Sequence, residues 1–231
     1  MKSRRVPSAA FGLLLAVAVA PACATDTYDY AKDEYAIIRD GLAPNKRLSL
    51  ASHGDGDGGS ENFHVWLMAE PAHRKIAALD DIGSNNNLDT GPDAYHATWS
   101  ADSRHVAVFF RSDRHVAELN LYNVERRRAR LISGPSLFRD TTGRDVGAQD
   151  DLRESFAEIE WRGPNRFVLR EHRLFLTKDA SFARRLGSYG KETDKTDDGR
   201  IFVKFSAEAD CLLMSADRYR IVDLRVGKFG E

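Results

Sequence analysis

His96-Ala97-Thr98-Trp99-Ser100-Ala101-Asp102-Ser103-Arg104-His105-Val106-Ala107-Val108-Phe109-Phe110 is the stretch whose reading decides the fold. It reads as a strand ending at Trp99, a tight turn over Ala101 to Arg104, and a second strand from Val106 to Arg111. Short runs of β-branched and aromatic residues, broken by Ser, Asp, Asn, Gly or Pro, mark strands joined by turns. A third strand follows at Val116 to Asn123, and a fourth at Ala129 to Ile132, after the charged turn Glu125 to Arg128. Four short strands in succession make one antiparallel meander, and helical periodicity is scarce elsewhere. The chain is therefore expected to be all-β.

The opening hairpin recurs. Ala157 to Trp161 leads through Arg162-Gly163-Pro164-Asn165 into Arg166 to Leu169. Phe202 to Ser206 leads through Ala207-Glu208-Ala209-Asp210 into Cys211 to Met214, and Tyr35 to Ile38 leads through Pro44-Asn45-Lys46 into Arg47 to Leu50. Pro presets φ for a corner and Asn or Asp bonds its own backbone, so these residue types suit the turns. Phe205 follows Trp161 at the length of a four-stranded blade, roughly 40–45 residues. Trp161 follows Trp99 at a longer interval, which fits if Gly134 to Arg153 is an inserted loop.

Trp99-Ser100-Ala101-Asp102-Ser103-Arg104-His105-Val106-Ala107-Val108, followed by Leu121-Tyr122, resembles the blade repeat of TolB-type periplasmic β-propellers. Ala101 stands where that repeat has proline, and Ser103 where it has glycine. Residues 96 to 123 carry the likeness closely and the other units carry it in outline. The resemblance implies a propeller-like fold and export. It transfers no catalytic residue, because the repeat is structural, and it places Trp99 and Trp161 in blade cores. The expected architecture is a small β-propeller-like array of about four antiparallel blades. The last unit stops after a third strand at Tyr219 to Leu224, so closure would need Thr27 to Tyr30 as a borrowed strand. Without it, the alternatives are an open meander or a β-sandwich.

The N-terminus is read separately. Lys2, Arg4 and Arg5 precede an apolar run from Ala9 to Ala20, and Ala22 and Ala24 are spaced as a cleavage site. Together these make a secretory signal peptide over residues 1–24. The run is shorter than the roughly 20 apolar residues that span a bilayer. Ser3-Arg4-Arg5 resembles the start of a twin-arginine signal, although Pro7 and Ser8 depart from it, and lipidation at Cys23 is the alternative to cleavage after Ala24. The mature chain, 25–231, reads as one domain, periplasmic or secreted. Losing the leader removes three cations and moves the formal net charge from −1 to −4. A mildly acidic domain has no electrostatic footprint for nucleic acid or an anionic membrane. Cys211 remains as the sole cysteine, so the fold rests on its core rather than on a disulfide.

Strand parity sorts the loops by end. His53 to Asn62 joins second and third strands, while Asp80 to Tyr95, Gly134 to Arg153 and Gly187 to Gly199 join units, so all four belong to one end. The turns at 101–104, 162–165 and 207–210 belong to the other. Long loops on a rigid scaffold are where binding residues concentrate. The charged segments Arg111 to His115, Glu171 to Arg173 and Asp217-Arg218 fall on the long-loop end by the same count. The candidate binding face is accordingly Arg111, Asp113, His115, Asp140, Arg144, Asp145, Glu171, His172 and Arg173.

Other motifs stop short of a site. Asp55, Asp57 and Glu61 begin like a calcium loop, but Gly59 stands in place of a further ligand and Trp66 in place of the closing glutamate. The chain has 7 histidines without an H-x-H or H-E-x-x-H pair, and no G-x-S-x-G elbow. No metal or cofactor is expected. Arg126 to Arg128 with Arg130 reads as a solvated third-to-fourth turn, and Cys211 as a buried thiol. The expected function is a non-enzymatic protein- or peptide-binding or scaffolding module of the cell envelope. The alternative is a small propeller-type hydrolase with Asp140, Asp145, Asp150, Glu171 and His172 converging at a channel mouth.

Overall fold

A computed structural model describes residues 25–83, 85–125, 127–132, 135–147, 150–186, 190–215 and 218–227. Its strands form one sheet of 13 members whose path does not return on itself. The sheet divides into antiparallel meanders. The first contains β1 Ala36–Leu42, β2 Leu48–Asp55, β3 Glu61–Ala69 and β4 Arg74–Gly83. The second contains β5 His96–Trp99, β6 His105–Asp113, β7 Val116–Glu125 and β8 Arg128–Ile132. The third contains β9 Asp151–Gly163, β10 Arg166–Thr177, β11 Gly190–Lys195, β12 Ile201–Ser215 and β13 Arg218–Val226. Neighbouring meanders meet through single parallel bridges, Arg39 with His96 and Val116 with Ser155. Two short α-helices, α1 Leu137–Thr142 and α2 Ala180–Arg185, lie among the described residues, with single 3-10 turns at Asp57–Gly59 and Pro92–Ala94.

Side-chain alternation stacks these units in layers. On β6, Val106, Val108 and Phe110 enter a core shared with Leu50, Phe63 and Tyr95 of the first unit and its connector. Ala107, one step out of phase, enters a second core with Phe167, Phe175 and Phe205 of the third unit. The second unit is thus buried on both faces, which explains why His105 to Phe110 reads as an almost unbroken apolar run. Each fully buried Val, Leu or Phe side chain stabilises the stack by about 2 kcal/mol relative to exposure.

The two tryptophans fasten the layers. Trp99, ending β5, donates its indole N–H to the Gly41 carbonyl of β1 at 3.1 Å. Trp161, near the end of β9, donates to the Thr98 carbonyl of β5 at 2.9 Å. In each case a tryptophan late in a unit's first strand grips the first strand of the preceding unit.

The array has three units rather than four. Ala207 to Asp210 is not a turn but the middle of β12, which pairs with β10 in continuous register from Ile201 opposite Thr177 to Leu212 opposite Arg166. The segment has no Gly, Pro or Asn, and its period of two is that of a strand. Ala207 and Ala209 point into the core, while Glu208 and Asp210 point out. Glu208 meets Arg170 at 2.6 Å and Arg225 at 2.9 Å, and Arg170 also holds Glu158 at 2.9 Å. This cross-strand ladder gives the outer face of the third unit a charged surface, unsuited to receiving another blade. The stack ends there.

Thr27 to Tyr30 does not add a closing strand either. It lies across the 54–62 loop, where Asp29 accepts from the Gly58 N–H at 2.7 Å and Thr90 donates to the Gly58 carbonyl. Gly59 has φ +65°, and a Cβ there would stand 2.6 Å from the Tyr28 carbonyl. The glycines of that loop therefore serve the close approach of the N-terminal segment. Among the described residues no helix is long and apolar enough to cross a membrane. The signal segment 1–24 with Cys23, and Arg126, Gly134, Gly187 and Asp217, lie outside the described residues.

Candidate functional site

The best-defined polar centre forms where the segment 135–147 folds back on β10. Pro135 and Ser136 start α1, with the Ser136 hydroxyl capping the Arg139 N–H at 3.1 Å. The first N–H groups of a helix lack partners within it, and here a buried carboxylate supplies one. Glu171 of β10, 2 % exposed, accepts from the Phe138 N–H at 3.1 Å and from the Ser136 hydroxyl at 3.3 Å. Its neighbour on the same face, Arg173, donates to it at 2.6 Å, to Asp145 at 2.7 Å and to Ser136 at 3.2 Å. Arg139 approaches Asp145 from the helix at 3.5 Å. Hydrogen-bonded charge pairs of this type hold a loop in one geometry.

Beside this network β7 and β9 diverge from their single bridge. They leave a cavity of about 300 Å³ lined by Glu118, Asn120 and Ser155 as well as by Arg139, Asp145, Glu171 and Arg173. On the far side of α1, the Tyr219 hydroxyl donates to Asp140 at 2.5 Å and accepts from the Ser136 N–H at 3.2 Å. Burial, then that bond to Asp140, raises the Tyr219 phenol above its ordinary range. The loop's other brace is Asp150, which accepts from Arg144 at 3.1 Å and from the Gly147 N–H at 2.9 Å. The Arg144 guanidinium lies 3.5 Å above the Phe182 ring of α2, a cation–π contact that ties the loop to that helix.

The sequence-derived face is only partly assembled. Asp145, Glu171 and Arg173 come together at the cavity, with Asp140 and Arg144 bracing the loop around it. Arg111 sits on β6 in a bidentate pair with the buried Asp89, at 2.6 and 2.7 Å. Asp113 accepts from the Arg114 N–H at 2.6 Å, and His115 is exposed in the same turn. Glu171 to Arg173 is not a turn but mid-strand in β10, opposite Ala157 to Ser155 of β9. His172 therefore faces away from Glu171 and Arg173. It bonds the Ser206 hydroxyl at 3.1 Å, and burial holds its imidazole below the ordinary value. Arg218 begins β13 beside Ser215, at the short-turn end rather than the long-loop end.

Asp55, Asp57 and Glu61 make no shared cage. Asp55 accepts from Asn62 at 3.2 Å and lies 3.6 Å from His53. Among the described residues no cluster of three or more His, Cys, Asp or Glu side chains is placed to hold a metal ion. Sequence reasoning passed over Ser136, Arg139 and Tyr219. A serine after proline and ahead of Leu137-Phe138 was the available sign of a helix start, whereas nothing near Tyr219 marks its reach to Asp140. Comparison of the chain with protein-family models finds no match, and comparison with curated proteins finds none either.

Proposed function

We propose that the chain is an exported, non-enzymatic binding or scaffolding module of the cell envelope, which takes a protein or peptide partner at its long-loop end. One observation carries this reading. The segment 135–147 is pinned to β10 by Glu171, Arg173, Asp145 and Arg139 around an open, polar-walled cavity. A connector with no task has no need of a buried ion network, whereas a binding loop gains affinity by being held before the partner arrives. The likeness of residues 96–123 to TolB-type blades belongs to the same proposal. Stacked meanders fastened by Trp99 and Trp161 are blade-like packing, and we read the domain as a short, open member of that style of architecture.

The hydrolase alternative draws no support from the geometry. A general base must face the reacting group, yet His172 points to the opposite side of β10 from Glu171. Both Glu171 oxygens are engaged in holding α1 and Arg173, Asp140 is taken by Tyr219, and Asp150 is buried against Arg144.

The test is affinity capture of the mature chain from cross-linked envelope, beside a variant with 135–147 cut to a tight turn ahead of β9 and shown to unfold cooperatively. A partner held by the parent and lost by the variant is the expected result. Equal capture by both would remove the loop as the docking element.

A further inference from the structure

A wide cleft opens at the opposite end, where the short turns of all the meanders converge. It encloses about 1100 Å³, and Arg47, Arg104, Arg127, Arg128 and Arg130 line it. These arginines come from separate places: the β1–β2 turn, the β5–β6 turn, the β7–β8 turn and β8 itself. None of the five makes an ion pair among the described residues. That is unlike Arg111, Arg144, Arg170, Arg173 and Arg200, each of which is matched to a carboxylate.

The acids of the cleft offset this charge only in part: Asp102 interacts electrostatically with Arg104, and two acids face five arginines. Asp102 accepts from the Ser100 hydroxyl at 2.7 Å and the Arg104 N–H at 3.1 Å, and Glu125 accepts from Asn123 at 3.0 Å. A concentration of guanidinium groups in excess of carboxylates costs electrostatic self-repulsion in the free protein. In a chain whose mature net charge is −4, it is also a local reversal of sign. His105, 7 % exposed, floors the cleft, with its ring stacked on Trp161 and hydrogen-bonded to the Pro164 backbone.

The remaining wall is mixed: Asn45, Asn123 and Asn165 offer amides, and Leu48, Val124, Leu213 and Met214, the last 55 % exposed, form an apolar patch. Guanidinium groups match carboxylates with two parallel hydrogen bonds, and an exposed methionine adapts to varied apolar side chains. A bare inorganic anion would leave that apolar patch unused. From this complementarity we propose that the short-turn cleft binds an acidic peptide segment, with its carboxylates on the arginines and an apolar side chain against Leu48 and Met214. This site is separate from the long-loop cavity and stands or falls independently of it.

The test is fluorescence anisotropy of the mature chain with a labelled ten-residue peptide alternating Glu and Leu. An identical peptide of Gln and Leu, and unlabelled tripolyphosphate as competitor, serve as controls. Arg128→Glu with Arg130→Glu is compared with Arg114→Glu with Arg184→Glu, which makes the same charge change at exposed positions outside the cleft. The cleft pair is expected to weaken the Glu–Leu peptide at least tenfold and the control pair less than twofold, with the Gln–Leu peptide not binding. Equal weakening by both pairs, equal binding of the Gln–Leu peptide, or displacement by tripolyphosphate at concentrations below those of the peptide itself would each overturn the proposal. Sedimentation of the unliganded chain covers the remaining occupant. Self-association that is abolished by the cleft pair, with peptide affinity unchanged, would assign the cleft to a second copy instead.

Discussion

Replacing Glu171 by alanine removes the carboxylate on which the loop network turns. The side chain is almost wholly buried and accepts from the Phe138 N–H, the Ser136 hydroxyl and Arg173 Nε. Breaking a buried pair by deleting one partner costs about 3–5 kcal/mol, since the other charge stays behind without compensation. Arg173 keeps Asp145 at 2.7 Å, so the lower end applies, about 3 kcal/mol. For a domain of this size each kcal/mol lowers Tm by about 2–4 °C, giving a fall of about 6–12 °C. Glu171→Gln keeps the shape and an acceptor for Phe138 N–H, and about half the loss is expected because one hydrogen bond to a charged group is worth about 1.5–3 kcal/mol. Urea unfolding of residues 25–231 at pH 7, with the slope checked for constancy, measures both. The reasoning is refuted if Glu171→Ala lies within about 0.5 kcal/mol of the parent, the range of ordinary surface changes.

Trp161→Phe removes the N–H held by the Thr98 carbonyl and is expected to cost about 1–3 kcal/mol, the penalty of a half-buried acceptor left unmatched; no change in the urea midpoint would mean that the indole does not fasten the layers. Burial holds both His105 and His172 below the ordinary imidazole value. Their contribution to stability is therefore full above about pH 6.5 and is lost as pH falls below it, because the unfolded chain takes up protons that the folded chain resists. His73, raised by its hydrogen bond to Glu70 and then by that to the Tyr35 carbonyl, contributes below that pH and loses its effect as pH rises through its raised value. The fall in stability from pH 7 to pH 5 should be visibly flatter in a His105→Asn, His172→Asn double variant, and an undiminished fall would contradict the assignment. Cys211 is fully buried and burial, followed by Asp140 and Asp210, pushes its thiol up to about 12. Ellman's reagent should modify it only at the rate of unfolding, and labelling of the native chain within seconds would show the core to be open there.

Much of the strand content was legible because it rests on local signals. The second meander follows its turn residues and apolar runs almost residue for residue, from His96 to Ile132. What failed was any feature whose partner is distant. Ala207-Glu208-Ala209-Asp210 looks like a corner by analogy with the other units; what makes it strand is Arg170 on β10 and Arg225 on β13, which no local window contains. Glu171-His172-Arg173 looks like a charged turn for the same reason. Its two faces acquire different meanings only when Ser136, Asp145 and Ser206 are brought beside them. The loop site was legible as a region, and α1 was signalled by Ser136, but the ion network depends on register. The arginine cleft escaped because its residues are scattered over four turns and strands, and Arg126 to Arg130 alone resembles any solvated basic turn.

Site-resolved photo-cross-linking addresses the central claim most directly. A photoreactive residue is placed at Glu118, which lines the long-loop cavity, and separately at Val222, 53 % exposed on β13 and away from it. Residues 25–231 are irradiated in a cell extract that includes the envelope, and adducts are identified by mass. Binding at the long-loop end predicts a discrete adduct from position 118 that is absent from position 222 and lost with Glu171→Ala. Equal background from both positions would contradict it.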